Sequence, residues 1–271
     1  MQGIKFRYSG VNPSAPVAYC AFYAMNTVVE VLWCSGDEER SRSLAQRMRD
    51  IVAGLEHSLS RHLEGGPLFL LNKSECFEHV DEELFFALEL CEQFREATCG
   101  YFDVAALGSS RERPACQFSM DGHNVKRVSD GILIDFGGFA KGYGAEKLRK
   151  FLCEEEGIEN AIVNFGNSTV LGIGHHPLGD CWKVSPASDA NICFQLRDSA
   201  VSVSGRSPEG RLHIVDPFTM SCPSRTENVV VSGRSALICE ILSTALYAAP
   251  QEKHGKILEN FPAYEAGTIG L

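Results

Sequence analysis

The run IDFGGFAKGYGAEKL, from Ile134 to Leu148, packs four glycines around Asp135, Lys141 and Tyr143. So much bare backbone restricts what can form there. Gly137 and Gly138 allow a sharp turn at the end of a strand. The residues after them read as a helix that continues to about Glu155 and stops at Gly157. A helix start offers unpaired N–H groups and the positive end of a dipole, a ready anion site. Lys141 adds a charge there, and Asp135 is placed to orient it. Two readings stand on the pattern alone: a phosphate-binding turn, or a structural strand-to-helix corner. The run is not a Walker loop, because Lys141 precedes Gly142 and no Gly-Lys-Ser/Thr occurs. Its glycine spacing also differs from the dinucleotide fingerprint.

The rest of the chain sets the fold class. Val17 to Tyr23 and Thr27 to Trp33 read as strands of a hairpin. Leu44, Met48, Ile51, Val52, Leu55, Leu59 and Leu63 recur at helical spacing, so an amphipathic helix is predicted from Glu38 to His62, broken by EGGP. A second helix starts near Asp81, with Leu84, Ala87, Leu88, Cys91 and Phe94 on one face and Gly100 as its stop. YFDVAALGSS and RERPAC read as loop. NVKRVSDGILIDF predicts a hairpin that turns at Ser129-Asp130-Gly131. NAIVNFGNSTVLGIG is a strand, a glycine turn and a strand. CWKVSP, CFQLRD, AVSVSG, RLHIVDP and NVVVSG are further short strands. The last strong helix runs from Ser235 to Ala249, capped by Ser235 and stopped by Pro250, before a short helix and an edge strand. Mixed order with hairpins is unlike the regular alternation of a doubly wound sheet. The predicted class is α+β with largely antiparallel sheets. With no repeat or linker, residues 1–271 are expected to form a single domain.

A formal net charge of -10 argues against general nucleic-acid binding, which needs a basic surface, but not against small phosphorylated ligands. The 11 cysteines show no CxxC pair and no zinc spacing. Dispersed in this way they suit a reducing compartment, where cysteine acts as a small core hydrophobe. The N-terminal residues lack a signal-peptide h-region, and no run has the length of a membrane span. A cytoplasmic location is expected.

Three further stretches carry candidate chemistry. Glu240 and Thr244 in EILSTAL are four apart and share a helix face. Together they suit a hard cation; alternatively Thr244 bonds back to a helix carbonyl and Glu240 is solvated. His213 in RLHIVDP is a candidate general base, or a hydrogen-bonded strand residue. Phe102 and Asp103 in GYFDVA suit stacking on a base and bonding its edge, or plugging a loop. His175 and His176 have no partner at ligand spacing, and Ser204 lacks a G-x-S-x-G context.

In order along the chain, these pieces resemble one family, the ApbE-type FAD:protein FMN transferases. DFGGFAKGYGAEKL resembles the family's D-L-G-G-I-A-K-G-Y-A-x-D segment, and AMNTVVEV its M-G-T strand. GYFDVA resembles G-x-F-D-P-T, NAIVNFGNS resembles N-x-L-V-N-I-G-G-D, and AVSVSG resembles A-V-A-T-S-G. LHIVDPFT resembles S-H-I-I-D-P-R-T-G, and EILSTALY stands where the family has D-A-L-A-T-A-L. The likeness spans Met25 to Ala249.

The resemblance implies an α+β, T-fold-like architecture of two intertwined parts with FAD in the cleft between them. It implies a magnesium-dependent transfer of FMN from FAD to a threonine or serine hydroxyl of an acceptor flavoprotein, with release of AMP. Some members hydrolyse FAD to FMN and AMP instead, and a weakly catalytic flavin-nucleotide binder is a further alternative. By resemblance, Lys141 faces the phosphates and His213 is the base. Met25, Tyr101, Phe102 and Asp103 lie at the adenine end, and Lys147 and Ile214 also contact the nucleotide. Gly144, through its carbonyl, Glu240 and Thr244 are the implied metal ligands. The chain departs from the family pattern at Asn26 for glycine, Val104 for proline, Asn167 or Ser168 for the acid of G-G-D, Phe218 for arginine, and Glu240 for aspartate.

Overall fold

The computed structural model describes residues 3–74, 76–77, 80–108, 118–127, 131–186, 192–205 and 214–270. Its first half holds strands β1 (Lys5–Ser9), β2 (Val17–Ala24) and β3 (Thr27–Cys34), then helices α1 (Glu38–Leu59) and α2 (Pro67–Lys73). β4 (Cys76–Phe77), α3 (Glu82–Ala97), β5 (Phe118–Asp121), β6 (Asn124–Arg127) and α4 (Ala140–Lys150) follow. Then come β7 (Ala161–Phe165), β8 (Thr169–Ile173), β9 (Trp182–Val184), β10 (Phe194–Leu196), β11 (Ser199–Ser204) and β12 (Glu227–Gly233). α5 (Ala236–Ala248), α6 (Gln251–Leu258) and β13 (Glu265–Gly270) complete the chain.

Eight strands form one sheet in the order β1-β2-β3-β7-β8-β11-β12-β13, with every ladder antiparallel. The α+β class expected from the sequence is what forms. Alternation along β3 explains the layers: Val29, Val31 and Trp33 are buried beneath the helices, while Val28, Glu30 and Leu32 face the other side. The main core lies between the inner sheet face and α1, α4 and α5. The β9–β10 pair covers part of the outer face, its Trp182 and Leu196 packing in one cluster with Val170, Val201, Val230 and Ile269 of the sheet. Trp182 fits this second core because its indole N–H donates to Ile173 O at 2.9 Å.

Local signals place the helices. Asp37 caps α1 by accepting from Arg40 N at 2.9 Å, and Asp81 caps α3 by accepting from Leu84 N at 2.9 Å. α1 stops at Leu59, short of the predicted His62; Leu63, the last residue of the predicted stripe, is 43% exposed. α3 ends through two left-handed residues, Cys99 and then the expected Gly100. α4 widens into a π-helical turn over Phe151–Glu155 before Gly157. Asn26, at the departure from the family's glycine, has φ 58°, a left-handed conformation that asparagine tolerates.

One predicted hairpin is replaced. Asn124–Arg127 pairs backwards with Phe118–Asp121 across Gly122, and Ile132–Asp135 form no strand. The side-chain amide of Asn72 holds that stretch instead: Ile134 N–H donates to Asn72 Oδ1 and Asn72 Nδ2 donates to Ile134 O, both at 2.8 Å. The predicted turn at Ser129 and Asp130 lies outside the described residues. In RLHIVDP, residues 211–213 also lie outside them, and Ile214 and Val215 form no strand. No helix among the described residues is long and apolar enough to cross a membrane.

Candidate functional site

The glycine run forms a corner against α5. A Cβ on Gly142 would stand 2.6 Å from Ala236 O and 2.8 Å from Leu237 Cα, so glycine is what lets the two helices approach this closely. Glu146 fixes the approach from α4: its Oε1 accepts from Ser235 Oγ at 2.9 Å and from Ala236 N at 2.7 Å, capping the neighbouring helix. This geometry brings Glu240, one turn into α5, over the start of α4. Gly142 N–H donates to Glu240 Oε2, not to the carbonyl of Gly138 four residues back. The Gly138 carbonyl is thereby left without its helical donor.

Glu240 is 2% exposed, and its Oε1 accepts no hydrogen bond of regular geometry from the described residues. Its partner is Lys141, whose Nζ lies 2.6 Å from Oε1 and also donates to Gly137 O at 3.0 Å. Thr244 stands one turn further along α5 on the same face. A Cβ on Gly138 would lie 2.9 Å from Thr244 Oγ1, so Gly138 packs directly on that side chain. Behind it runs a chain of hydroxyls: Thr244 to Ser204 at 3.2 Å, Ser204 to Ser243 at 2.9 Å, Ser243 to Ser202 at 3.3 Å and Ser202 to Thr169 at 3.1 Å.

This corner opens into a cleft of about 1020 Å³. That volume is at the upper end of small-molecule sites, about 300–1,000 Å³, and suits an extended ligand. On one side the cleft is lined by Tyr101–Val104 and by Arg61 and Asp135; on the other it continues over Glu30, Leu32, Ile162 and Val201 of the sheet's outer face. Tyr101 packs on Phe218 with ring centroids 4.8 Å apart, and Asp103 Oδ1 accepts from Ala105 N at 2.8 Å. Tyr19 OH donates to Glu30 Oε1 at 2.7 Å, and Asn164 Nδ2 donates to Glu30 Oε2 at 3.1 Å. Burial, then the bond to Glu30, pushes the Tyr19 phenol up to about 12, so it stays a donor.

The structure gathers Tyr101, Phe102, Asp103, Lys141, Ile214, Glu240 and Thr244 around this cleft. Met25, Gly144 and Lys147 are not among its lining residues. Gly144 faces inward, where a Cβ would lie 2.9 Å from Phe165 Cζ and 3.7 Å from Met25 Cε. Lys147, further along α4, pairs with Glu83 at 2.9 Å and lies over the Tyr143 ring. Asp135 does not orient Lys141: it pairs with Arg61 and accepts from Gly137 N at 2.7 Å. His213 lies outside the described residues. The sequence did not point to the Gly138 carbonyl that lacks its helical donor, to the hydroxyl chain or to Arg61 at the cleft. Gly138 lay within the quoted run, but only the α5 carboxylate reveals which backbone oxygen is freed. Arg61 follows a helix end with no local mark of function.

Comparison with known proteins agrees with this fold. An FAD:protein FMN transferase of Treponema pallidum (strain Nichols) is 25% identical over 166 residues, 53% of this chain and 45% of that protein. The chain thus matches less than half the length of that relative. The apo Pseudomonas stutzeri flavinyl transferase ApbE shares the fold, with TM-score 0.79 and 19% identity over 95% of this chain and 93% of that one. The ApbE protein of Thermotoga maritima does so with TM-score 0.77 and 22% identity over 98% and 94%. Residues 25–267, which carry the whole α4–α5 corner, match the ApbE family, and the chain belongs to it.

Proposed function

We propose that this chain is a magnesium-dependent FAD:protein FMN transferase, built as a single domain and working in the cytoplasm on an acceptor protein's threonine or serine. The observation that carries the reading is the buried Glu240 carboxylate, set beside Lys141 and Thr244 at the end of a dinucleotide-sized cleft. Glu240, Thr244 and the Gly138 carbonyl are hard oxygen donors of the kind Mg²⁺ takes, with Gly138 replacing Gly144 in that role. Magnesium when bound neutralises pyrophosphate charge.

The chain's own groups do the rest. Lys141 has three N–H donors; Gly137 O and Glu240 engage two, and the third serves a phosphate oxygen. The loop of Tyr101, Phe102 and Asp103 takes the adenine end, and Ile214 also lines the cleft. The acceptor oxygen bonds to the FMN phosphorus as the bridging P–O bond breaks, and the bridging oxygen leaves on AMP. The acceptor proton goes to a base, a role assigned to His213. Preorganised charge at the corner favours this transfer.

The test is to incubate the protein with FAD, Mg²⁺ and a candidate acceptor, then measure AMP by chromatography and FMN-modified acceptor by mass. Lys141→Ala, Thr244→Ala and His213→Ala are each expected to abolish transfer. AMP without modified acceptor would replace the reading with FAD hydrolysis. FAD binding without AMP would make the chain a flavin-nucleotide binder.

A further inference from the structure

We propose that Arg61 is a phosphate-binding residue of the cleft and that it takes the AMP half of the dinucleotide, the half that leaves; this rests on the transferase reading above. Arg61 directly follows the cap of α1, its side chain is 30% exposed, and it lines the cleft. Its Nε donates to Asp135 Oδ2. Asp135 is itself fixed: Oδ1 accepts from Gly137 N at 2.7 Å, and its own N–H donates to Val104 O at 2.7 Å. Pinned at Nε, the guanidinium has no partner on either terminal NH2 among the described residues. Those four N–H groups form a rigid planar fork, the geometry that matches phosphate oxygens.

Charge in the cleft points the same way. Among its described lining residues the cations are Arg61 and Lys141, and Lys141 already stands 2.6 Å from the buried Glu240. Lys141 keeps one donor for a phosphate oxygen, whereas Arg61 keeps four, so Arg61 is the cation with the larger unused capacity. Its position selects the half of the ligand. Asp135 joins Arg61 on one side to Val104, beside the loop assigned to adenine, and on the other to Gly137, at the start of the phosphate corner. A phosphate between those two places is that of AMP. In the transfer, the electron pair of the broken P–O bond stays on the AMP oxygen, and Arg61 is positioned to receive that charge.

A purely structural Arg61–Asp135 tie would affect stability without distinguishing ligands. The test is titration calorimetry of Arg61→Gln with AMP, FMN and FAD in Mg²⁺, beside thermal melting. AMP and FAD affinity are expected to fall about tenfold or more, and FMN affinity less than about twofold. Unchanged AMP affinity, or equal losses for AMP and FMN, would overturn the proposal. Should Arg61→Gln fail to fold, Arg61→Lys, which keeps the charge and removes the fork, is expected to show the same bias toward AMP loss. Wild-type protein that binds AMP but not FAD would sink the transferase reading and leave the Arg61 site standing.

Discussion

Lys141 Nζ lies 2.6 Å from Glu240 Oε1, and the carboxylate it meets is almost wholly buried. The second oxygen of that carboxylate is held by Gly142 N–H. One acidic side chain thus fixes the helix start and the lysine together. Glu240→Gln keeps the size and removes the charge. It is expected to lower AMP release from FAD by about a hundredfold or more, a loss comparable to removing one preorganised electrostatic partner. A magnesium titration of AMP release checks this. Wild-type release at ordinary magnesium would take Glu240 out of the site.

Gly142→Ala tests the close approach of α4 and α5. The new methyl would meet two backbone atoms, at 2.6 and 2.8 Å, and no rotamer change can relieve that. Overpacking of this kind costs about 1–3 kcal/mol. Gly54 in α1 is the control, because nothing lies within 4 Å of a Cβ built there. Its replacement by alanine gains helix propensity of about 1 kcal/mol. Thermal melting should therefore move down for Gly142→Ala and up for Gly54→Ala. Shifts of the same sign would show that the corner tolerates a side chain.

The two substitutions also show what the sequence makes legible. Helices α1, α3 and α5 were readable because apolar spacing and caps at Asp37, Asp81 and Ser235 are local signals. Glu240, Thr244 and Lys141 were readable through motif likeness. Gly138 and Gly144 are both glycines of one run, and local sequence cannot rank them as backbone oxygens. That the Gly138 carbonyl lacks its helical donor follows from the side chain of Glu240, about a hundred residues on, taking the N–H of Gly142. The strand expected after Arg127 failed for a similar reason: Asn72, distant in sequence, supplies the hydrogen bonds that a partner strand would have given.

Ser204→Ala probes the hydroxyl chain behind Thr244. Ser204 Oγ lies 3.2 Å from Thr244 Oγ1 and 2.9 Å from Ser243 Oγ. Deleting it removes one contact from Ser243, which keeps its bonds to Ser202 Oγ and Glu240 O, and the neighbour of the part-buried Thr244 hydroxyl, at a stability cost of about 1 kcal/mol. It also frees the Thr244 hydroxyl to rotate away from the corner. The magnesium concentration for half-maximal AMP release should rise about tenfold, as for loss of an outer-shell partner, with the maximal rate little changed. A fall in maximal rate at unchanged magnesium dependence would assign Ser204 to another step.

Tyr143 makes a prediction about alkaline stability. Its ring packs near Phe139, with centroids 4.9 Å apart, and its hydroxyl donates to Glu83. Burial first, then the hydrogen bond and the charge of Glu83, raise the phenol well above its ordinary 10.0. Below that value both folded and unfolded chains keep the proton, and stability does not depend on it. Above it the unfolded chain loses the proton while the folded chain retains it. The unfolded state then binds fewer protons, so stability falls as pH rises. Tyr143→Phe removes this contribution, at the cost of the Glu83 bond. Denaturant unfolding between about pH 8 and pH 11 should show wild type losing stability more steeply than Tyr143→Phe above pH 10, with the other titrations common to both. Parallel slopes would mean that the Tyr143 phenol ionises as freely in the fold as in the unfolded chain.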